Sequence, residues 1–202
     1  MAEEEKKEPQ EQQFSLLQSI MLYLHDLTIL LAVILLTFTL LFRIVVVSGS
    51  SMYNTLLDGD WLLVLSNTIS GKPEYGDIIV ASKESFNDGE PIIKRVIATE
   101  GQTVDIDFEQ GIVYVDGIAL DEDYIYSPTT DDEGMDFPLV VDEGCVFAMG
   151  DNRGRSSDSR NPAIGLIDRR EILGRAFFLV FPGTGVEPFV GERDFDRIGA
   201  LK

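Results

Sequence analysis

Apolar residues in this chain follow two different periods, and the change between them divides it. Phe14, Leu17, Met21 and Leu24 recur at spacings of three and four, the period of one helix face. Leu27 to Phe42 then runs for sixteen residues without a charge. Continued past Arg43 through Ile44-Val45-Val46-Val47, the run is twenty-one residues long. As a helix this reaches roughly 30 Å, enough to cross a bilayer. The pattern predicts one transmembrane helix with its preceding turns over residues 14–47, Arg43 snorkelling to the headgroups. A removable signal peptide has a basic start and a shorter apolar core, whereas here the start is acidic and the run long, so the segment reads as a retained anchor.

After Thr55 the period shortens to that of strands. Trp61–Leu65, Asp77–Ala81, Ile92–Ala98, Thr103–Ile106, Ile112–Val115, Leu139–Val141, Val146–Met149 and Arg175–Phe181 read as strands. Asp58-Gly59, Asp88-Gly89, Asp116-Gly117 and Pro182-Gly183 supply turns between them. An all-β domain over residues 48–183 is predicted. Residues 1–13, rich in Glu, Gln and Lys, lack the means to form a core and are predicted to be a disordered acidic tail. Residues 121–138 read as an exposed acidic loop and 184–202 as a loose C-terminal tail.

Charge narrows the partners. The chain carries a formal net charge of −19, which disfavours nucleic acid and anionic headgroups. One cysteine, Cys145, excludes an internal disulfide and a multi-cysteine metal site; its strand-like setting suits a buried core thiol. Flanking basic residues are too few to orient the anchor: Lys6-Lys7 on one side, Arg43 on the other.

Ser51 lies in Ser48-Gly49-Ser50-Ser51-Met52-Tyr53-Asn54-Thr55-Leu56, directly after the apolar span. It is either a residue of a polar juxtamembrane turn or a nucleophile, and a nucleophilic serine needs a base. The only histidine, His25, precedes the span, so a Ser-His-Asp triad is improbable. Lys94 alternates with Ile92 and Val96 on one strand face. Among apolar neighbours its ammonium is desolvated and its pKa lowered, as a lysine base requires; the alternative is an edge-strand lysine reaching water. Gly150 to Arg160 mixes short polar residues with both charges, and is either a hydrogen-bonded network or a solvated loop.

Together these stretches resemble bacterial type I signal peptidases, the membrane-anchored Ser-Lys serine endopeptidases of family S26. The resemblance rests on the N-terminal span, Gly49–Leu56, Gly59–Val64, Gly76–Val80 with Ile93–Val96, and Gly150–Arg153 with Ser156–Arg160, in that order. It implies a largely antiparallel β fold, also shared by repressor-type self-cleaving peptidases. Those relatives are soluble and carry a DNA-binding domain, at odds with this anchor and charge. A non-catalytic, membrane-tethered β-module binding secreted proteins is the remaining alternative.

The resemblance implies Ser51 as nucleophile, Lys94 as general base and the Ser51 amide as an oxyanion donor. Gly49 stands where some members place a serine hydroxyl as a further donor. Ser156 matches the lysine-orienting serine. Asp151, Arg153, Asp158 and Arg160 match a structural polar network, with Arg95 paired to one of the aspartates. Val47, Met52, Leu56 and Ile93 match pocket walls, and residues around Met52 and Trp61 are expected to dip into the membrane. No metal or cofactor is implied. The implied partners are the lipid bilayer and exported preproteins with small residues at the first and third positions before the cleavage site. The implied topology is single-pass in the cell membrane, N-terminus cytoplasmic and catalytic domain outside. Asn54 departs from the proline usual in the family.

Overall fold

A computed structural model describes residues 16–201, so the acidic segment 1–13 lies outside the described residues. The chain forms two units, residues 1–40 and 41–202. Helix α1 spans Leu16–Leu41 with no buried residue, and all but its last residue belongs to the first unit. At 26 residues it is long and apolar enough to cross a membrane.

The helix ends earlier than the apolar run. Phe42–Val46 is strand β1, paired antiparallel with β2 (Trp61–Ser66). Hydropathy cannot see this boundary. Ile44, Val45 and Val46 are β-branched, a composition that suits a pleated strand, and β2 offers an edge to pair with. The predicted helix over 14–47 is corrected accordingly.

The second unit is mostly antiparallel sheet. After β2 come the short helix α2 (Asn67–Ser70) and strands β3 (Ile78–Ala81), β4 (Ile92–Thr99), β5 (Thr103–Asp107), β6 (Ile112–Val115), β7 (Ile118–Ala119) and β8 (Leu139–Val140). Strands β9 (Cys145–Met149), β10 (Ile167–Asp168), β11 (Ile172–Phe181) and β12 (Gly199–Ala200) complete it. The large sheet runs β1-β2-β11-β3-β4-β9-β10, with β12 also on β11; the smaller one runs β7-β6-β5-β8. The apolar strand faces fill three clusters. One gathers Val47, Met52, Leu56, Val64, Val80 and Leu179 beneath the Ser51 loop. A second joins both sheets through Ile97, Val104, Val113 and Phe147. A third lies around Ile79, Val96 and Ile167.

Two segments differ from their sequence reading. The acidic stretch 121–138 is not merely exposed: Thr129 is fully buried and Glu122 grips Arg153. The tail is not loose, because β12 pairs with β11 and Arg197 forms an ion pair with buried Asp60. Both segments are held by partners distant in sequence, which apolar periodicity does not reveal.

Candidate active site

The loop carrying Ser51 is held at its base by the β1–β2 turn. Val47 N–H donates to Asp60 O and Gly59 N–H to Val47 O, both at 2.9 Å. Gly49 adopts φ +89°, which suits glycine, and its N–H donates to Asp58 Oδ1 at 2.7 Å. The turn over residues 51–55 closes with Tyr53 N–H to Ser50 O and Leu56 N–H to Met52 O.

The loop after β9 clasps the same turn from one side. Asn152 donates its backbone N–H to Ser51 O and its side-chain amide to Ser50 O, both at 3.0 Å. Thr55 Oγ1 donates to Asp151 Oδ2 at 2.5 Å. Gly150 allows this approach: a Cβ there would lie 2.2 Å from Ser156 Oγ and 2.5 Å from Ser51 O.

Strand β4 delivers Lys94 to Ser51, with Nζ 2.9 Å from Oγ. Lys94 is 4% exposed and bonds to no other group among the described residues. Burial brings its pKa from 10.5 down to about 8. The carboxylates of Asp158, Glu133 and Asp151 oppose that shift, while Arg160 adds to it. A lysine in this state loses its proton around pH 8, well below an ordinary lysine. Its lone pair then faces a serine hydroxyl within transfer distance. The Ser51 backbone N–H donates to no group among the described residues, so it remains free to meet a developing oxyanion.

The charged residues around this pair are buried and matched. Arg95 forks onto Asp151 at 2.9 and 2.7 Å, donates to Gly76 O and lies 4.1 Å over the Tyr124 ring. Arg160 forks onto Asp158 at 2.9 Å through both contacts, and Asp158 also accepts the Gly150 N–H. Burial works against the Asp158 charge, but the Arg160 bonds and charge outweigh it and hold the carboxyl below its usual range.

Arg153 donates to Gly150 O within the motif and finds its carboxylate partner outside it. It forks onto Glu122 at 3.0 and 2.6 Å and reaches Thr129 Oγ1 at 2.6 Å. Glu133 Oε1 lies 3.0 Å from Arg160 Nη2, although off the hydrogen-bond direction. Sequence reasoning missed Glu122, Thr129 and Glu133. All three sit in the acidic stretch, where their neighbours include several more acids and nothing in spacing sets them apart.

Ser156 is a departure. Its hydroxyl is buried against Gly150 and makes no hydrogen bond among the described residues, so the expected bond to Lys94 is not formed. Gly150 leaves room for Ser156 to pack, but its Oγ ends without a partner.

Val47, Met52, Leu56 and Ile93 do come together, as members of one core cluster. Met52 and Leu56 are sealed, while Val47 and Ile93 retain a small accessible edge. Met52 therefore presents nothing to a membrane, and that expectation is corrected. Its side chain turns inward because the 51–55 turn packs on strands β2 and β3. Trp61 is 45% exposed and meets Phe181 edge-on. His25 is a residue of α1, in the other unit.

Comparison with known proteins extends this picture. The profile of the family described as signal peptidase, peptidase S26, matches residues 20–181. A probable signal peptidase I-1 from Synechocystis sp. is 39% identical over 146 residues, 68% of this chain and 70% of its own length. Signal peptidase I from Bacillus licheniformis is 36% identical over 150 residues, 70% of this chain and 78% of its own. Signal peptidase I T from Bacillus subtilis is 36% identical over 165 residues, 77% of this chain and 81% of its own. A match of this extent, over a span that includes both Ser51 and Lys94, means that the chain belongs to the signal peptidase, peptidase S26, family.

Proposed function

We propose that this chain is a membrane-anchored serine endopeptidase that removes N-terminal signal peptides from exported preproteins through Ser51 and Lys94. Family membership and the curated relatives support signal peptidase activity. The observation that carries the mechanism is the 2.9 Å contact between Lys94 Nζ and Ser51 Oγ.

Neutral Lys94 accepts the Ser51 hydroxyl proton as Oγ attacks the scissile carbonyl. The tetrahedral oxyanion takes the Ser51 amide N–H. Collapse breaks the C–N bond, and the Lys94 ammonium returns its proton to the leaving amine. Water then gives a proton to Lys94 and attacks the acyl ester. The signal peptide leaves as a carboxylic acid, and the Ser51 hydroxyl is restored.

The preprotein lies as an extended strand, held by main-chain hydrogen bonds. Small residues at the first and third positions before the scissile bond match the shallow accessible edge of Val47 and Ile93. Helix α1 holds the enzyme in the bilayer, with the N-terminus cytoplasmic and the β domain outside, where exported chains emerge.

The test is preprotein cleavage in detergent or vesicles by Ser51→Ala and, separately, Lys94→Met. Loss of cleavage in both is expected; normal cleavage by either would sink the mechanism. A serine acylator that labels wild type but not Ser51→Ala separates this enzyme from a tethered binding module.

A further inference from the structure

The family match ends at Phe181, yet the chain beyond it returns to the Ser51 loop. Phe189 stacks on Tyr53, with ring centroids 4.0 Å apart and planes 23° apart. Tyr53 is the second residue after Ser51. Phe189 also meets Tyr126 edge-on at 5.3 Å, and Tyr126 meets Tyr53 at 5.0 Å, so the three rings close a triangle. Tyr126 N–H donates to Asp151 O, which joins the triangle to the clasp.

A second attachment is polar. Arg197 forks onto Asp60 at 2.9 and 2.6 Å and donates to Thr55 O at 3.2 Å. Asp60 is fully buried and also accepts Leu57 N–H and Gly183 N–H, while its carbonyl accepts Val47 N–H. Gly183 fits here because a Cβ would lie 2.1 Å from Asp58 O. The tail therefore holds the Ser51 loop near its crest, at Tyr53, and at its base, at Thr55 and Asp60.

We infer that Phe189 and Arg197 are positioning residues for Ser51, fixing its hydroxyl against Lys94 together with the Asp151–Asn152 clasp. The inference rests on Ser51 being the nucleophile. Neither residue touches Ser51; each acts through the loop. A nucleophile displaced by a fraction of an ångström loses turnover, while a substrate bound along other surfaces keeps its affinity.

The test uses the full chain in detergent with a preprotein substrate, measuring kcat, KM and thermal unfolding together. Phe189→Ala is expected to lower kcat by about tenfold or more with KM within about twofold. Phe189→Tyr is expected to restore most of that loss, and Arg197→Ala to behave like Phe189→Ala. If Phe189 works through Tyr53, the Tyr53→Ala/Phe189→Ala pair loses little more than the worse single variant. The proposal is overturned by a kcat within about twofold of wild type. It is equally overturned by a loss matching the unfolded fraction, by failure of Phe189→Tyr to rescue, or by fully additive losses. Ser51→Ala is assayed alongside. If it still cleaves, the nucleophile reading fails and this inference falls with it. If it is dead while Phe189→Ala is normal, only the tail's role is refuted.

Discussion

Burial gives Lys94 the chemistry that an exposed lysine lacks. Its pKa of about 8 predicts that kcat/KM rises about tenfold per unit as pH approaches 8 and levels off above it. A rate profile flat from pH 5 to 9 would count against a lysine base. The same shift has a stability consequence. The folded pKa lies below the unfolded value of 10.5, so the folded state binds fewer protons and the buried charge destabilises it at low pH. That penalty is full below pH 8, shrinks between 8 and 10.5, and is gone above. Lys94→Met is therefore expected to abolish cleavage yet gain about 3 kcal/mol at pH 6, a gain that fades as pH rises towards 10.5; urea titrations at several pH values measure it. At this scale the residues alone left two readings each for Ser51 and Lys94; His25 ahead of the apolar span spoke against a histidine base, and only the resemblance to the signal peptidase family named the two as a pair. The hydroxyl of Ser156 did not follow its expected role, because its contact with Gly150 depends on loop packing.

Elements decide which charges are structural. The loop after β9 can approach Ser51 only without a side chain at position 150. Gly150→Ala is expected to cost about 1–3 kcal/mol and to lower kcat by about a hundredfold, read from unfolding and cleavage kinetics. The acidic stretch separates into structural and solvated acids. Glu122→Ala strands the buried Arg153 guanidinium and is expected to cost about 3–5 kcal/mol, whereas exposed Asp123→Ala stays within about 0.5 kcal/mol. Equal effects of the two substitutions on the urea midpoint would refute that division. Nothing in composition separates Glu122 from Asp123. Only the position of Arg153 across the fold does so.

At the scale of the whole molecule, the boundary between Leu41 and Phe42 sets what can be removed. A chain beginning at Phe42 keeps β1 and is expected to unfold cooperatively with little loss of stability. One beginning at Ser48 removes Val45 and Val47 from the core and uncovers the edge of β2, costing about 3 kcal/mol or more. Circular dichroism melts of the two truncations distinguish these outcomes. Equal stability would mean that β1 contributes nothing to the sheet.

The sequence by itself determined the two main regions, an apolar helix and a β domain. Helical period and uncharged length marked the anchor, and alternation with Gly-bearing turns marked the β domain. The ordered short motifs named the family. Each is a local property, carried by neighbours in the chain. Tertiary structure decided the rest: where α1 gives way to β1, which acids pair with Arg153 and Arg160, and how the tail reaches Tyr53 and Asp60. These outcomes depend on contacts between distant segments, such as Arg197 with Asp60, and on burial that makes an ion pair or a lysine pKa matter.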